Sequence, residues 1–126
     1  MMMLLASLLL AFTVGDTQLV CNLNVLTPAE RQEYGARTER LMSSVVKMED
    51  VAHGYRLHFG PGLQVTDLLQ WIDAERRCCP FLDFETRLER EGGARWLQMT
   101  GPAGVKAFLK EEIGAFREQD GSSRGR

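Results

Sequence analysis

The chain has 126 residues, of which 44% are hydrophobic and 25% charged, a composition typical of one globular domain. Its 15 Lys and Arg residues are interspersed with 17 Asp and Glu residues, and the net charge is −2. A charge pattern of this kind builds no basic field that could attract a polyanion, so the sequence predicts no nucleic-acid partner.

The amino terminus is an apolar segment that covers positions 1–14 and ends at Gly15 and Asp16. A membrane span needs about 20 apolar residues, so this segment predicts no stable span. Its length is typical of a signal-peptide core, and Thr13 and Gly15 are small residues spaced as a cleavage site requires. We expect residues 1–15 to be a signal peptide and the protein to be periplasmic or secreted, where thiols are oxidised. The alternatives are a misread start codon or a hydrophobic helix packed on the domain, in a cytoplasmic protein.

The first half of the domain is predicted as one helix followed by a hairpin. Residues 27–30 (Thr-Pro-Ala-Glu) form a capping box with proline at the first helical position, so a helix begins there. Its apolar stripe continues through Val45 and Val46. The hairpin is expected to begin at Lys47 and to turn at residues 52–54.

The second half repeats this order and adds a closing helix. A helix follows the breaker at 60–62 and stops before Pro80, because proline disfavours helical backbone in the residue that precedes it. Residues 82–100 alternate in polarity around a Glu-Gly-Gly turn, as in a hairpin. The turn at 101–104 opens the last helix, and the Gly/Ser/Arg-rich tail at 119–126 is expected to be disordered.

Together these elements predict an α+β fold of the order helix, hairpin, helix, hairpin, helix. Each hairpin has one apolar side and each helix one apolar stripe, so the economical arrangement is a four-stranded antiparallel sheet with the helices on one face. A single domain is expected at 16–118.

The run Cys78-Cys79-Pro80-Phe81 marks the predicted end of the second helix and is the strongest candidate site. Glu75 and Cys79 lie on the core-facing stripe of that helix, whereas Cys78 points towards the Trp71 side. A buried carboxylate costs several kcal/mol unless it is paired or protonated. Glu75 therefore needs a partner, and Arg76, Arg77 or a group across the sheet are the candidates.

Three hypotheses account for the cysteines. The leading one is a non-enzymatic protein that binds a thiophilic metal or metalloid ion through Cys78, Cys79 and Cys21, with Glu75 as an oxygen ligand or supporting group. The second is a thiol redox protein or sensor, although a helix C-terminus raises the pKa of a thiol. The third is a structural or interaction module, with an unspecified protein partner, in which the cysteines pack as small apolar side chains.

A disulfide between Cys78 and Cys79 is disfavoured, because adjacent Cα atoms lie about 3.8 Å apart and ordinary disulfides need roughly 4.4 to 6.8 Å. A bond from Cys21 to either member of the pair is sterically open and leaves one cysteine unpaired.

Other candidate sites are weaker. The turn at 101–106 could receive an anion at a helix N-terminus, but it lacks P-loop spacing and is better explained as a strand-to-helix turn. His53 and His58 are expected to be exposed to solvent, and Trp96 lies on the strand face opposite to Leu97 and Met99.

Residues 75–84 (ERRCCPFLDF) and 96–109 (WLQMTGPAGVKAFL) resemble a group of small uncharacterised bacterial proteins that share an E-R-x-C-C-P-F motif and a later T-G-P-x-G motif. The segment 21–31 fits the same group, so the resemblance covers about 21–116. It implies no activity, but it places four residues at motif positions: Cys21, Glu75, Cys78 and Cys79.

Overall fold

The computed structural model describes residues 19–124, so the predicted signal peptide at 1–15 lies outside the described residues. One turn of 3₁₀ helix at Leu23–Val25 precedes the main elements. These are, in chain order, α1 (Pro28–Ser43), β1 (Val45–Val51), β2 (Gly54–Phe59), α2 (Val65–Cys78), β3 (Asp83–Leu88), β4 (Arg95–Thr100) and α3 (Val105–Arg124).

The predicted α+β class with a four-stranded antiparallel sheet is confirmed, and the strand order is β1-β2-β4-β3. The two hairpins meet through their second strands, β2 and β4, which pair with each other in antiparallel register. Leu57 lies opposite Leu97 in this register, and both side chains are fully buried. The apolar core therefore covers the face of the sheet on which these two residues lie.

The capping box at the start of α1 is confirmed. The Thr27 hydroxyl accepts from the Glu30 backbone N–H at 3.1 Å, and the Glu30 carboxylate accepts from the Thr27 N–H at 2.8 Å. The predicted end of this helix was wrong, because α1 ends at Ser43 and both Val45 and Val46 belong to β1. Val45 pairs with Phe59 across the hairpin, and this long-range pairing overrides a stripe that also fits a helix.

α1 and α2 pack against each other through a buried polar contact and an ion pair. The Trp71 indole N–H donates to the Thr38 hydroxyl at 2.9 Å inside the core. Nearer the surface, the Arg40 guanidinium donates two hydrogen bonds of 2.9 Å to the carboxylate of Asp67. These contacts fix the relative position of the two helices that carry the candidate site.

α3 closes the core and includes positions 119–124 of the segment whose composition predicts disorder. At its start, the Lys106 ammonium group donates to the backbone carbonyls of Val51 and Gly54, at 2.8 and 3.0 Å. This contact ties α3 to the turn of the first hairpin. Between residues 19 and 124, no helix has the length and apolar content that a membrane crossing requires.

Candidate functional site

The C-terminal end of α2 positions three of the four predicted site residues. Cys78 is the last helical residue, and the backbone N–H of Cys79 donates to the Glu75 carbonyl at 2.7 Å. Pro80 then prevents the helix from continuing. As a result Glu75 and Cys79 lie one turn apart on the same side of the helix, and both are buried.

The amino-terminal segment brings Cys21 to this helix end. The backbone N–H of Asn22 donates to the Cys78 carbonyl at 2.9 Å and holds the segment against α2. Cys21 and Cys79 are joined by a disulfide bond, with their Cα atoms 4.5 Å apart. Of the two pairings that the sequence leaves open, the structure has the one with Cys79, and Cys78 keeps a free, buried thiol.

Glu75 is the buried carboxyl group of the site, with 6% of its surface exposed. Its Oε2 atom accepts a hydrogen bond from the Tyr34 hydroxyl of α1, and its Oε1 atom lies 3.3 Å from Cys79 Sγ. Burial raises the pKa of Glu75 to about 7. The bond from Tyr34 lowers this pKa and the charge of Glu112 raises it, both to a smaller extent than burial.

The predicted partners of Glu75 were wrong. Arg77 instead pairs with Glu30, with 3.2 Å between Nη2 and Oε1, and Arg76 is exposed. The actual partner, Tyr34, lies on the neighbouring helix rather than across the sheet. Tyr34 lies at helical spacing on the apolar stripe of the first helix, where its hydroxyl also needs a partner. Two polar groups on the core faces of two adjacent helices are the signal that could have predicted this pair.

A cavity of about 490 Å³ opens beside these groups. Its walls are predominantly apolar and come from α1, α2, α3, the strand β4 and the amino-terminal segment. The polar groups on its wall come from Cys21, Tyr34, Glu75 and Glu112. Cys21 is partly buried and belongs to the lining of the cavity, whereas Cys79 is almost completely buried and does not belong to it.

A group of three residues could hold a metal ion among the residues that the structure describes. One sulfur each of Cys21 and Cys79 and one carboxylate oxygen of Glu75 lie within 4.8 Å of one another. Cys78, the fourth predicted ligand, does not belong to this group. Burial raises the pKa of the Cys78 thiol, and the nearby Glu75 charge raises it further.

The outer face of the sheet holds a polar network rather than free side chains. His58, which we expected to be exposed to solvent, is half-buried, and its Nε2 atom lies 2.7 Å from the Glu49 carboxylate. Arg56 lies 3.9 Å above the Trp96 ring and donates to the Gln98 side chain at 2.8 and 3.0 Å. These contacts pair the Arg56 and His58 side chains of β2 with neighbouring groups of the sheet.

Comparison of the chain with protein-family models, with curated proteins and with solved structures gives no match. The resemblance based on the E-R-x-C-C-P-F motif therefore stays a prediction.

Proposed function

We propose that the protein is a thiol–disulfide exchange protein whose Cys21–Cys79 bond opens and closes with Glu75 as the proton donor and acceptor. The observation that supports this proposal is the 3.3 Å separation between the Glu75 carboxyl oxygen and the Cys79 sulfur, both buried. A disulfide that only crosslinks the chain does not require an adjacent buried carboxyl, and such a group costs free energy.

The unequal burial of the two cysteines, of which only Cys21 lines the cavity, sets the direction of attack. An incoming thiolate attacks the accessible Cys21 sulfur, the S–S bond breaks, and the bonding electrons move to Cys79. The departing Cys79 sulfur takes the proton of Glu75. A second thiolate then attacks the sulfur of the small thiol in the mixed disulfide, and Cys21 leaves as a thiolate that takes a proton from water. The products are one small disulfide, formed by oxidation of two thiols, and the protein dithiol; Glu75 regains its proton from water.

The acidity of Glu75 suits both directions of this exchange. A carboxyl group with a pKa of about 7 is present in both its protonated and ionised forms near neutral pH. It can donate a proton to the Cys79 thiolate when the bond opens and accept that proton when the bond closes. A carboxyl with an ordinary pKa would be almost completely ionised and could not donate.

The test is the rate at which dithiothreitol reduces the Cys21–Cys79 bond, followed by mass spectrometry after acid quenching. Glu75→Gln keeps the size of the side chain but supplies no acidic proton, and we expect it to slow reduction at pH 6 by about tenfold or more. The matched control, Glu111→Gln, changes an exposed carboxyl on α3 and should react as the wild type does.

The pH profile gives a second readout that a structural role would not change. The wild-type rate, divided by the concentration of the attacking thiolate, should fall as pH rises through about 7, because Glu75 then loses its proton. Glu75→Gln should have no inflection there. Equal rates and identical pH profiles for the wild type and Glu75→Gln would overturn the proposal.

Binding of a soft metal or metalloid ion is a second candidate function, for the reduced protein. It is favoured by the three donor atoms of Cys21, Glu75 and Cys79 within 4.8 Å of one another. Two thiolates and one carboxylate form a mixed set that suits a thiophilic ion. The disulfide and the ion exclude each other, because both need the same two sulfurs.

Native mass spectrometry of the fully reduced protein with cadmium or arsenite tests this second function. Wild type and Cys78→Ser should each retain one ion per chain, whereas Cys21→Ser/Cys79→Ser should retain none. Cys78→Ser is the matched control because it removes a thiol outside the three-residue group. Loss of the ion in Cys78→Ser, or its retention in the double variant, would contradict this assignment.

A further inference from the structure

The cavity beside Cys21 offers an indication of the substrate class. Its volume of about 490 Å³ lies within the range of small-molecule sites, roughly 300 to 1,000 Å³. Large apolar side chains form most of the wall of this cavity, among them Leu82, Met99, Leu109 and Ile113. An apolar group placed there leaves water and contacts these side chains.

The charged groups around the cavity have one sign. Glu75 and Glu112 both contribute to its wall, and within the described part of the chain no Lys or Arg does. Glu112 is an exposed residue of α3, so its carboxylate lies where the cavity meets solvent. A thiol with an anionic substituent would therefore bring a second negative charge, besides its thiolate, towards Glu112 and the ionised form of Glu75 without a compensating cation. A thiol with an uncharged substituent brings only the thiolate.

From these two features we infer that the exchange partner of the Cys21–Cys79 bond is a small uncharged thiol with an apolar substituent, or the disulfide of such a thiol. The inference rests on the proposed thiol–disulfide exchange. The apolar substituent occupies the cavity and places the thiolate against the Cys21 sulfur. Two molecules of the thiol become one small disulfide, and the Cys21–Cys79 bond becomes two thiols.

The experiment compares ethanethiol, butanethiol and hexanethiol as reductants of the oxidised protein. Each rate constant is divided by the rate constant of the same thiol with hydroxyethyl disulfide, which removes differences in intrinsic reactivity. For the wild type we expect the normalised rate to rise with chain length, by up to about fourfold for each methylene group that becomes buried. The charged thiol 3-mercaptopropionate should have a lower normalised rate than ethanethiol.

Variants separate the cavity from the rest of the surface. Ile113→Phe fills part of the cavity and should reduce the gain between ethanethiol and hexanethiol. Val46→Phe adds a bulky side chain at an exposed position of β1 and should leave the gain unchanged. Glu112→Gln removes a charge from an exposed residue and should raise the rate of 3-mercaptopropionate relative to ethanethiol.

The outcomes distinguish this inference from the proposed function. If ethanethiol reduces the bond and Glu75→Gln slows that reaction, but chain length has no effect, the exchange function stands and the apolar substrate is wrong. If Glu75→Gln has no effect with any thiol, the exchange function itself fails. If Val46→Phe reduces the chain-length gain as much as Ile113→Phe does, the cavity is not the site of the substituent.

Discussion

The Tyr34 hydroxyl on α1 donates a hydrogen bond to the carboxylate of Glu75 on α2, 41 residues further along the chain. This bond fixes one oxygen of the carboxylate, and the other oxygen lies 3.3 Å from the Cys79 sulfur. The packing of the two helices therefore sets the geometry of the disulfide site. A substitution that removes the Tyr34 hydroxyl can therefore change the position of the Glu75 carboxyl group beside the Cys79 sulfur, although Tyr34 is on a different helix from Cys79.

The first prediction concerns the dependence of stability on pH. The pKa of Glu75 is raised from 4.5 to about 7, so between these values the folded protein binds more protons than the unfolded chain does. The free energy of unfolding should therefore fall as pH rises from about 4.5 to about 7, by roughly 3 kcal/mol in total. Carboxyl groups whose pKa is lowered, such as that of Asp67, change the free energy of unfolding at pH values below this range.

Urea unfolding of the oxidised protein at pH 5 and pH 8 measures this effect. Glu75→Gln carries no titrating group, so most of the difference between the two pH values should disappear. Glu111→Gln, on the exposed side of α3, should keep the wild-type difference. An unchanged pH dependence in Glu75→Gln would show that Glu75 titrates with an ordinary pKa.

The second prediction concerns Tyr34→Phe. The bond from Tyr34 lowers the pKa of Glu75, so its removal should raise that pKa further. The variant should lose about 1 to 3 kcal/mol of stability at pH 8, where Glu75 is ionised, and less at pH 5. Titration of the Glu75 carboxyl by ¹³C NMR gives the pKa directly. Tyr55→Phe, on β2, is the control. An equal shift of the Glu75 pKa in both variants would contradict a specific effect of the Tyr34 hydrogen bond on Glu75.

The sequence predicted those elements whose chemistry is local. The capping box of Thr27 and Glu30 and the first hairpin turn depend on neighbours within a few residues, and both are present. The turn was predicted at 52–54 and occupies 52–53, because Gly54 already pairs with Val51 as the first residue of β2. The end of α1 was wrong because Val45 is placed by its pairing with Phe59, which no local pattern contains.

The candidate site was predicted only in part, because some of its contacts are local in the sequence and others are long-range. Cys79 and Glu75 were placed on the core-facing side of α2 by helical spacing alone. The partner of Glu75 and the choice between two disulfides depend on how α1 and the amino-terminal segment dock on α2. The backbone bond from Asn22 to Cys78 fixes that docking, and a single sequence contains no local signal for it.

The third prediction concerns the contribution of the Cys21–Cys79 bond to stability. The bond joins positions separated by 58 residues, and closing a loop of that length should stabilise the fold by about 4 kcal/mol through the entropy of the unfolded chain. Cys21→Ala removes the bond at a partly buried position and leaves the buried Cys79 side chain in place.

Urea unfolding with and without reductant compares the two proteins. Reduction should lower the free energy of unfolding of the wild type to a value close to that of Cys21→Ala. The free energy of unfolding of the variant should be the same with and without reductant. A wild type that unfolds at the same urea concentration with and without reductant would exclude a stabilising role for the bond.

The fourth prediction concerns the free thiol of Cys78. Its side chain is completely buried, and its raised pKa lowers the fraction of reactive thiolate. In the oxidised native protein, iodoacetamide should modify Cys78 about a hundredfold more slowly than an exposed thiol, and unfolding should remove this difference. Ser43→Cys places a thiol at an exposed position of α1 in the same molecule. Peptide mapping that finds equal rates at positions 43 and 78 would contradict the burial of Cys78.

The last prediction concerns Lys106, which holds the first hairpin against α3. Its ammonium group donates to the carbonyls of Val51 and Gly54 and also pairs with Asp50 at 2.6 Å. Lys106→Met keeps a long side chain but leaves two carbonyls without this donor, which should cost about 1 to 3 kcal/mol. Hydrogen exchange at the amides of 51–54 should accelerate, while dithiothreitol should reduce the Cys21–Cys79 bond at the wild-type rate. Lys110→Met, at an exposed position one turn later on α3, should change neither quantity, and equal effects of the two variants would show that Lys106 acts only through its charge.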